Sequence, residues 1–153
     1  MDVQLRTVET PEDARLHLPW LRERGSEALA ELGLAQAPED FMETFLASHF
    51  GAPETLLLVA ETGPGAADVG FVLVGPQVDP LSGVRTPMIL ILSVEPGLRH
   101  RGLARSLVQE AARQLSRRGY RQIAARCPQG DDPLIAMGER WGFVRTWEFL
   151  ARD

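Results

Sequence analysis

The stretch from Met88 to Gly119 constrains this chain more than any other. It opens with an apolar run, Met88-Ile89-Leu90-Ile91-Leu92-Ser93-Val94, whose continuous character suits a strand buried on both faces. Glu95-Pro96-Gly97-Leu98 and the turn Arg99-His100-Arg101-Gly102-Leu103-Ala104 come next. Beyond them Leu103, Leu107, Val108, Ala111, Ala112 and Leu115 recur at helical spacing, until Gly119 closes the segment. The order is strand, loop, helix. A helix N-terminus presents unpaired N–H groups and the positive end of the macrodipole, so an anion is stabilised there. Small residues at Gly102 and Ala104 allow close backbone approach, and Arg99 and Arg101 add mobile charge. The spacing predicts a loop that holds a pyrophosphate. Taken alone, Arg-x-x-Gly-x-Ala also describes a helix start with no ligand; its place between a buried strand and an amphipathic helix makes it more specific.

Charge supports the same place. All sixteen cations are Arg, and the chain has neither Lys nor Asn, so lysine chemistry is excluded. Residues 1–98 carry fifteen acids and five Arg, a net of −10, whereas residues 99–126 carry eight Arg and only Glu110, a net of +7. The positive block coincides with the loop and its helix. Arg99, Arg101 and Arg105 are read as phosphate contacts, and Arg113, Arg117 and Arg118 as a solvated helix face. Nucleic acid is the other partner such a block suggests, but the chain as a whole is acidic at −5 and the block holds a single aromatic, Tyr120.

The remaining chain reads as one domain, 1–153, long enough for a full core. No apolar run approaches the roughly 20 residues of a membrane span, the N-terminus lacks a signal-peptide pattern, and Cys127 is the only cysteine, so a cytoplasmic location and no membrane partner are expected. Val3 to Val8 alternates as a short strand. Thr10-Pro11-Glu12-Asp13 starts a helix, with Thr as N-cap; Pro19 and Gly25 are expected to split the segment after it into two short helices. Pro38-Glu39-Asp40 opens a third, with Phe41, Phe45 and Phe50 on its apolar side. Thr55–Ala60 and Val69–Val74 form a hairpin across Gly63-Pro64-Gly65. Gly75 to Pro87, rich in Pro and Gly, reads as a loop or a long hairpin connection. Gln122–Cys127 is a strand, Asp131-Asp132-Pro133 opens a helix to Arg140, and Phe143–Leu150 is a last strand.

Val94-x-Pro96-x-x-Arg99-x-x-Gly102-x-Ala104 resembles the acetyl-CoA motif of the Gcn5-related N-acetyltransferases (the GNAT family), and the resemblance extends over essentially the whole chain. It implies an α+β, three-layer α/β/α fold around a mixed, mostly antiparallel sheet of six or seven strands. The strands Met88–Val94 and Gln122–Cys127 would splay into a V. It implies acetyl-CoA as cosubstrate, with the pyrophosphate on the backbone of Arg99, His100, Arg101, Gly102, Leu103, Ala104 and Arg105. The pantetheine arm would lie along Leu92, Ser93 and Val94 at a strand bulge, and the Val94 amide would polarise the thioester carbonyl as an oxyanion site. Asp131 stands where the family commonly has Asn and is counted with the cofactor contacts. No metal is implied.

Two positions depart from the family pattern. A Tyr general acid often stands four residues before the Gly of the Gly-Phe pair; here it is Gly138. A Glu general base on the motif strand, six residues before the Val, is here Met88. Ser93 as a water-mediated relay and Cys127 at the open end of its strand are the substitutes considered, each weighed against a plain structural reading. His17 and His49 lie on the N-terminal helices that resemble the acceptor lid, His100 is a phosphate contact or solvent-exposed, Glu95 is expected to face solvent, and Tyr120 to be structural. The acids Glu12, Asp13, Glu23, Glu27, Glu31, Glu39, Asp40 and Glu43 suggest a cationic amine as acceptor.

The reading is therefore an acetyl-CoA-dependent N-acetyltransferase acting on a small-molecule amine or a protein N-terminus by direct attack. The alternative is a CoA-binding protein of the same fold with little or no transferase activity. Only ten residues come after Phe143, too few for the two strands that family members usually place there. The resulting free sheet edge is expected to pair in a homodimer; a strict monomer by light scattering would contradict that.

Overall fold

A computed structural model describes residues 2–31, 41–63, 67–127, 130–146, 150 and 152. Its sheet has five strands among the described residues: β1 (Gln4–Thr7), β2 (Leu56–Glu61), β3 (Asp68–Val78), β4 (Arg85–Val94) and β5 (Ala124–Ala125). They lie in the order β1-β2-β3-β4-β5, antiparallel except for the parallel pair β4–β5. The helices are α1 (Pro11–Glu31), α2 (Phe41–His49), α3 (Leu103–Arg117) and α4 (Asp132–Arg140).

Period-two alternation divides the strands between two cores. Leu57, Val59, Phe71, Leu73 and Ile91 face α1 and α2, packing on Ala14, Leu21, Met42, Phe45 and Leu46. Leu56, Leu58, Ala60, Val72, Val74 and Val94 face α3, packing on Leu107, Ala111 and Leu115. This produces the three layers, α/β/α. The apolar stripe of α3 is the one its spacing predicts.

Four expectations are corrected. α1 is a single helix that runs through Pro19 and Gly25. Thr10 caps it as expected, its Oγ1 accepting from Asp13 N–H at 3.1 Å. Pro19 is exposed and removes one backbone bond, while burial of Leu21 and Gly25 against the sheet holds the helix straight through. A Cβ at Gly25 would stand 3.5 Å from Ile91 Cδ1, an ordinary van der Waals contact. Second, the residues from Gly75 to Pro87 are mostly strand: β3 and β4 stay paired from Pro76↔Pro87 to Val78↔Arg85. Only the turn Asp79–Val84 is left, where Asp79 Oδ1 accepts from the N–H groups of Leu81 (3.0 Å) and Ser82 (2.8 Å). Pro76 and Pro87 stand opposite each other in this pairing, Pro76 half-buried and Pro87 fully buried. Third, the strand expected over 122–127 is reduced to two residues, paired Met88↔Ala124 and Ile89↔Ala125. Fourth, Phe143 to Thr146 form no strand, and the sheet has five strands among the described residues rather than six or seven. The expected helix start at Pro38-Glu39-Asp40 and residues 147–149 of the expected last strand lie outside the described residues, as do Pro64 and Gly65 of the hairpin turn.

The hairpin partner of β4 changes register at Leu90. Leu73 pairs with Ile91 and Val74 with Ile89, leaving Leu90 as the extra residue of a bulge. Leu90 and Ile91 consequently face the same core, on the α1–α2 side, whereas Ile89 and Leu92 pack on the other. The bulge expected at Leu92–Val94 therefore stands two residues earlier. It re-aims the strand just before the motif begins.

Candidate cofactor site

The end of β4 and the start of α3 form the site. Glu95 N–H donates to Val69 O at 2.9 Å, toward β3. Alternate residues of an antiparallel strand direct their N–H and C=O to opposite sides, so Ser93 points to β3 while Leu92 and Val94 point away from it. On that outward side β5 reaches only Met88 and Ile89. The backbone of Leu92 and Val94 thus borders an opening between β4 and β5, the splay that the motif implies. Ser93 is buried and paired in register with Phe71.

Pro96–Leu98 form one 3-10 turn, and the chain then adopts left-handed backbone twice, at His100 (φ 65°) and Gly102 (φ 80°). Glycine suits such a conformation; for His100 it costs about 1 kcal/mol, a strain of the sort found at ligand-binding loops. Gly102 is the N-cap of α3 and supplies no side-chain cap. The first helical bond runs from Ser106 N–H to Gly102 O at 3.0 Å, which leaves the N–H groups of Leu103, Ala104 and Arg105 without an intrahelical acceptor. The other three helices each place an acid in the first turn (Glu12 and Asp13, Glu43, Asp132), and α3 places none. Arg99, His100, Arg101 and Arg105 are exposed around this terminus. The arrangement is a positive, uncapped helix start with room for an anion.

A polar stripe of α1 docks against the same end of the sheet. Trp20 Nε1 donates to Glu95 Oε1 at 3.2 Å, and Arg24 Nε forms an ion pair with the same oxygen at 3.1 Å. Glu95, expected to face solvent, instead ties α1 to the loop. Arg99, expected to contact phosphate, is held within the chain: its Nε donates to Val94 O at 3.2 Å and its Nη2 to Glu31 Oε1 at 3.0 Å. Neither α1 contact has a local sequence signal, since partners 68 and 75 positions apart meet only through the fold.

His17 is buried with both ring nitrogens engaged: Arg6 Nη2 can only donate, so Nε2 accepts from it, and Nδ1 is left to donate to Asp68 Oδ2 at 2.6 Å. His17, Glu61 and Asp68 bring ligand-type atoms within 4.8 Å of one another, but Arg6 is bonded among them, with Nε on Glu61 at 2.9 Å and Nη1 on Asp13 at 2.7 Å. The cluster is a closed charge network that fastens α1 to the sheet. His49 lies tilted against Phe45, with ring centroids 4.8 Å apart and an angle of 45° between the rings. Asp131 caps α4, accepting from Leu134 N–H at 3.2 Å. Cys127 is exposed, yet partial burial of its thiol, then the charge of Asp131, pushes its pKa up, which disfavours thiolate. At Gly138 an added Cβ would meet, among the described residues, Phe143 Cβ alone, at 3.9 Å.

Tyr120 belongs to the opposite end of α3, about 22 Å away at 1.5 Å per residue. There the buried Glu54 accepts from Arg85 Nε at 2.8 Å, which with further contacts, the Tyr120 hydroxyl among them, holds its carboxyl below the usual range. Burial and then Glu54 raise the Tyr120 hydroxyl. A cavity of about 490 Å³ beside it, lined by Leu115, Gly119, Tyr120 and Ile123, is remote from the loop.

Comparison with known proteins identifies the family and the fold. A profile of the acetyltransferase (GNAT) family matches residues 19–143. The fold superposes on AAC(6')-Iy, solved with the bisubstrate analogue CoA-S-monomethyl-acetylneamine, with a TM-score of 0.76 at 17% identity, covering 100% of this chain and 98% of that one. A putative acetyltransferase from Pyrococcus furiosus gives 0.72 at 17% identity, covering 99% of both chains. A ribosomal-protein-alanine N-acetyltransferase from Brucella melitensis biovar Abortus 2308 gives 0.66 at 20% identity, again covering 99% of both. A search of curated protein sequences finds no match. With four-fifths of its length inside the family profile and the α/β/α architecture to match, the chain belongs to the GNAT acetyltransferase family.

Proposed function

We propose that the protein is an acetyl-CoA-dependent N-acetyltransferase whose acceptor is a small-molecule amine, cationic in character, or a protein N-terminus. The observation that carries this reading is the start of α3, the one described α-helix with neither a side-chain cap nor an acid in its first turn. That terminus and the outward backbone of Leu92 and Val94 fit a pyrophosphate joined to an extended amide-bearing arm. Residues 99–105 would hold the phosphates and Leu92 to Val94 the arm. Acetyl-CoA supplies an acyl group activated as a thioester. The Val94 N–H would polarise the acyl carbonyl, and the two sides of the opening would hold the neutral amine against it, so that orientation provides most of the rate. The similar structures include an aminoglycoside acetyltransferase bound to CoA and a ribosomal-protein-alanine acetyltransferase, which supports an amine acceptor of either kind.

No side chain in the described site is positioned as the usual general acid. Thiolate is a tolerable leaving group near neutral pH, so transfer proceeds without one. Release of free thiol from acetyl-CoA in the presence of an amine panel tests the activity; CoA binding with no release from any amine would favour the CoA-binding alternative. Gly138→Tyr is expected to raise kcat about tenfold near neutral pH, within the usual contribution of a positioned acid, and to leave the KM for acetyl-CoA unchanged. An unchanged kcat in a folded, active variant would remove Gly138 from the site. The cytoplasmic location and a homodimer through the C-terminal sheet edge belong to the same proposal.

A further inference from the structure

The acids on and beside α1 differ in what holds them. Glu27, on α1, is held by Arg24 Nη1 at 2.8 Å, and Glu95, just after β4, by Arg24 and Trp20 of α1. Glu31 is held by Arg99, a residue of the phosphate loop. The same guanidinium bonds Val94 O, so a single side chain spans Glu31 and the outward edge of β4. That edge is where an extended amide-bearing arm would pair. The arm and Arg99 therefore compete for one carbonyl oxygen. Once displaced from the strand, Arg99 keeps only an exposed pair with Glu31, both side chains being more than a third accessible (39% and 56%). Such pairs are weak, whereas a pyrophosphate a few residues along the loop offers a guanidinium a bidentate, charge-assisted contact.

We propose that Glu31 is the anionic group that receives a cationic acceptor, and that Arg99 covers it until the cofactor's phosphates draw the guanidinium away. The proposal rests on the acetyl-CoA reading above. After the exchange, Glu31 is an exposed carboxylate one guanidinium's width from Val94 O, at the end of the strand where the acyl carbonyl would lie. An acceptor with at least two amino groups suits it: one cation pairs with Glu31 and a second, neutral amine reaches the carbonyl. Glu31 is thus a specificity-determining residue, and cofactor and acceptor bind cooperatively because they share Arg99 between them.

Calorimetry with spermidine as the cationic probe tests this on the full chain. In the unsubstituted protein, saturating CoA is expected to tighten spermidine binding at least about tenfold, a coupling of about 1.4 kcal/mol. In Glu31→Gln that coupling disappears, and CoA itself binds about threefold more tightly because Arg99 is free. Glu27→Gln, which leaves Arg99 untouched, keeps the coupling. Spermidine affinity that is independent of CoA, an absence of spermidine binding alongside normal CoA binding, or coupling that survives in Glu31→Gln would each overturn the proposal alone. An absence of CoA binding would overturn the acetyl-CoA reading and this proposal together.

Discussion

Ala104→Glu is expected to weaken CoA binding at least about 100-fold while leaving the protein folded, because the carboxylate takes the place of the phosphate. Two like charges about 4 Å apart repel by about 4 kcal/mol at an effective dielectric of 20, and screening by water and salt reduces this without removing it. The substitution is chosen for its opposite effects on stability and binding. Ala104 is the second residue of α3, half-buried at the uncapped N-terminus. An acid there complements the macrodipole, so thermal stability should hold or rise by about 0.3–1 kcal/mol. A variant that loses CoA affinity and keeps or gains melting temperature separates ligand binding from folding. If CoA affinity in Ala104→Glu is unchanged, the pyrophosphate lies elsewhere. Ala104→Gln, isosteric with the glutamate and neutral, is expected to lose much less.

The second large effect concerns stability. Gly75→Val should destabilise the fold by about 3 kcal/mol, the upper end of what overpacking usually costs. A Cβ at Gly75 would stand 2.5 Å from Phe45 Cζ and 2.8 Å from Leu90 Cδ1. Gly75 is fully inside, paired with Met88 beside the bulge, and its missing side chain is the space into which α2 inserts Phe45. The branched side chain forces either Phe45 off α2's docking position or Leu90 out of the bulge. Because the bulge sets the direction of the motif strand, CoA affinity should fall with stability. This is measured as a shift in the urea midpoint at constant m-value, alongside a CoA titration at a temperature where the variant is folded. A midpoint within error of the parent would show that α2 yields freely and that the bulge is not fixed by this packing.

These two positions differ in how far the sequence alone reveals them. The device around Ala104 is legible because it is local: apolar run, Pro96, Gly102 and the 3.6-residue stripe of α3 all lie within 32 residues and each arises from short-range chemistry. The cap at Thr10 and the helix start at Asp131-Asp132-Pro133 are legible for the same reason, whereas Asp131's own role as cap is not. Gly75 is not, since its neighbours come from residues 45 and 90. A glycine followed by Pro76 and Pro80 reads as loop, whereas pairing with β4 and burial under α2 make it strand. The continuity of α1 through Pro19 is hidden by the same kind of tertiary override: local propensity argues for a break, and the burial of Leu21 and Gly25 prevails. Within the site, local charge alone assigns Glu95 to solvent, because charge patterning cannot report that α1 carries Trp20 and Arg24 to Glu95 and Glu31 to Arg99. The position of the bulge, one turn of the pleat before Leu92, also depends on β3 and not on β4's own residues.

The central claim is that the amides opening α3 hold the cofactor's pyrophosphate. The most direct measurement is a titration of isotope-labelled protein with CoA, monitored through backbone amide resonances. The account predicts that Leu103, Ala104 and Arg105 show the largest saturable shifts, with the same dissociation constant as Leu92 and Val94. CoA binding that leaves those three amides unmoved would contradict it.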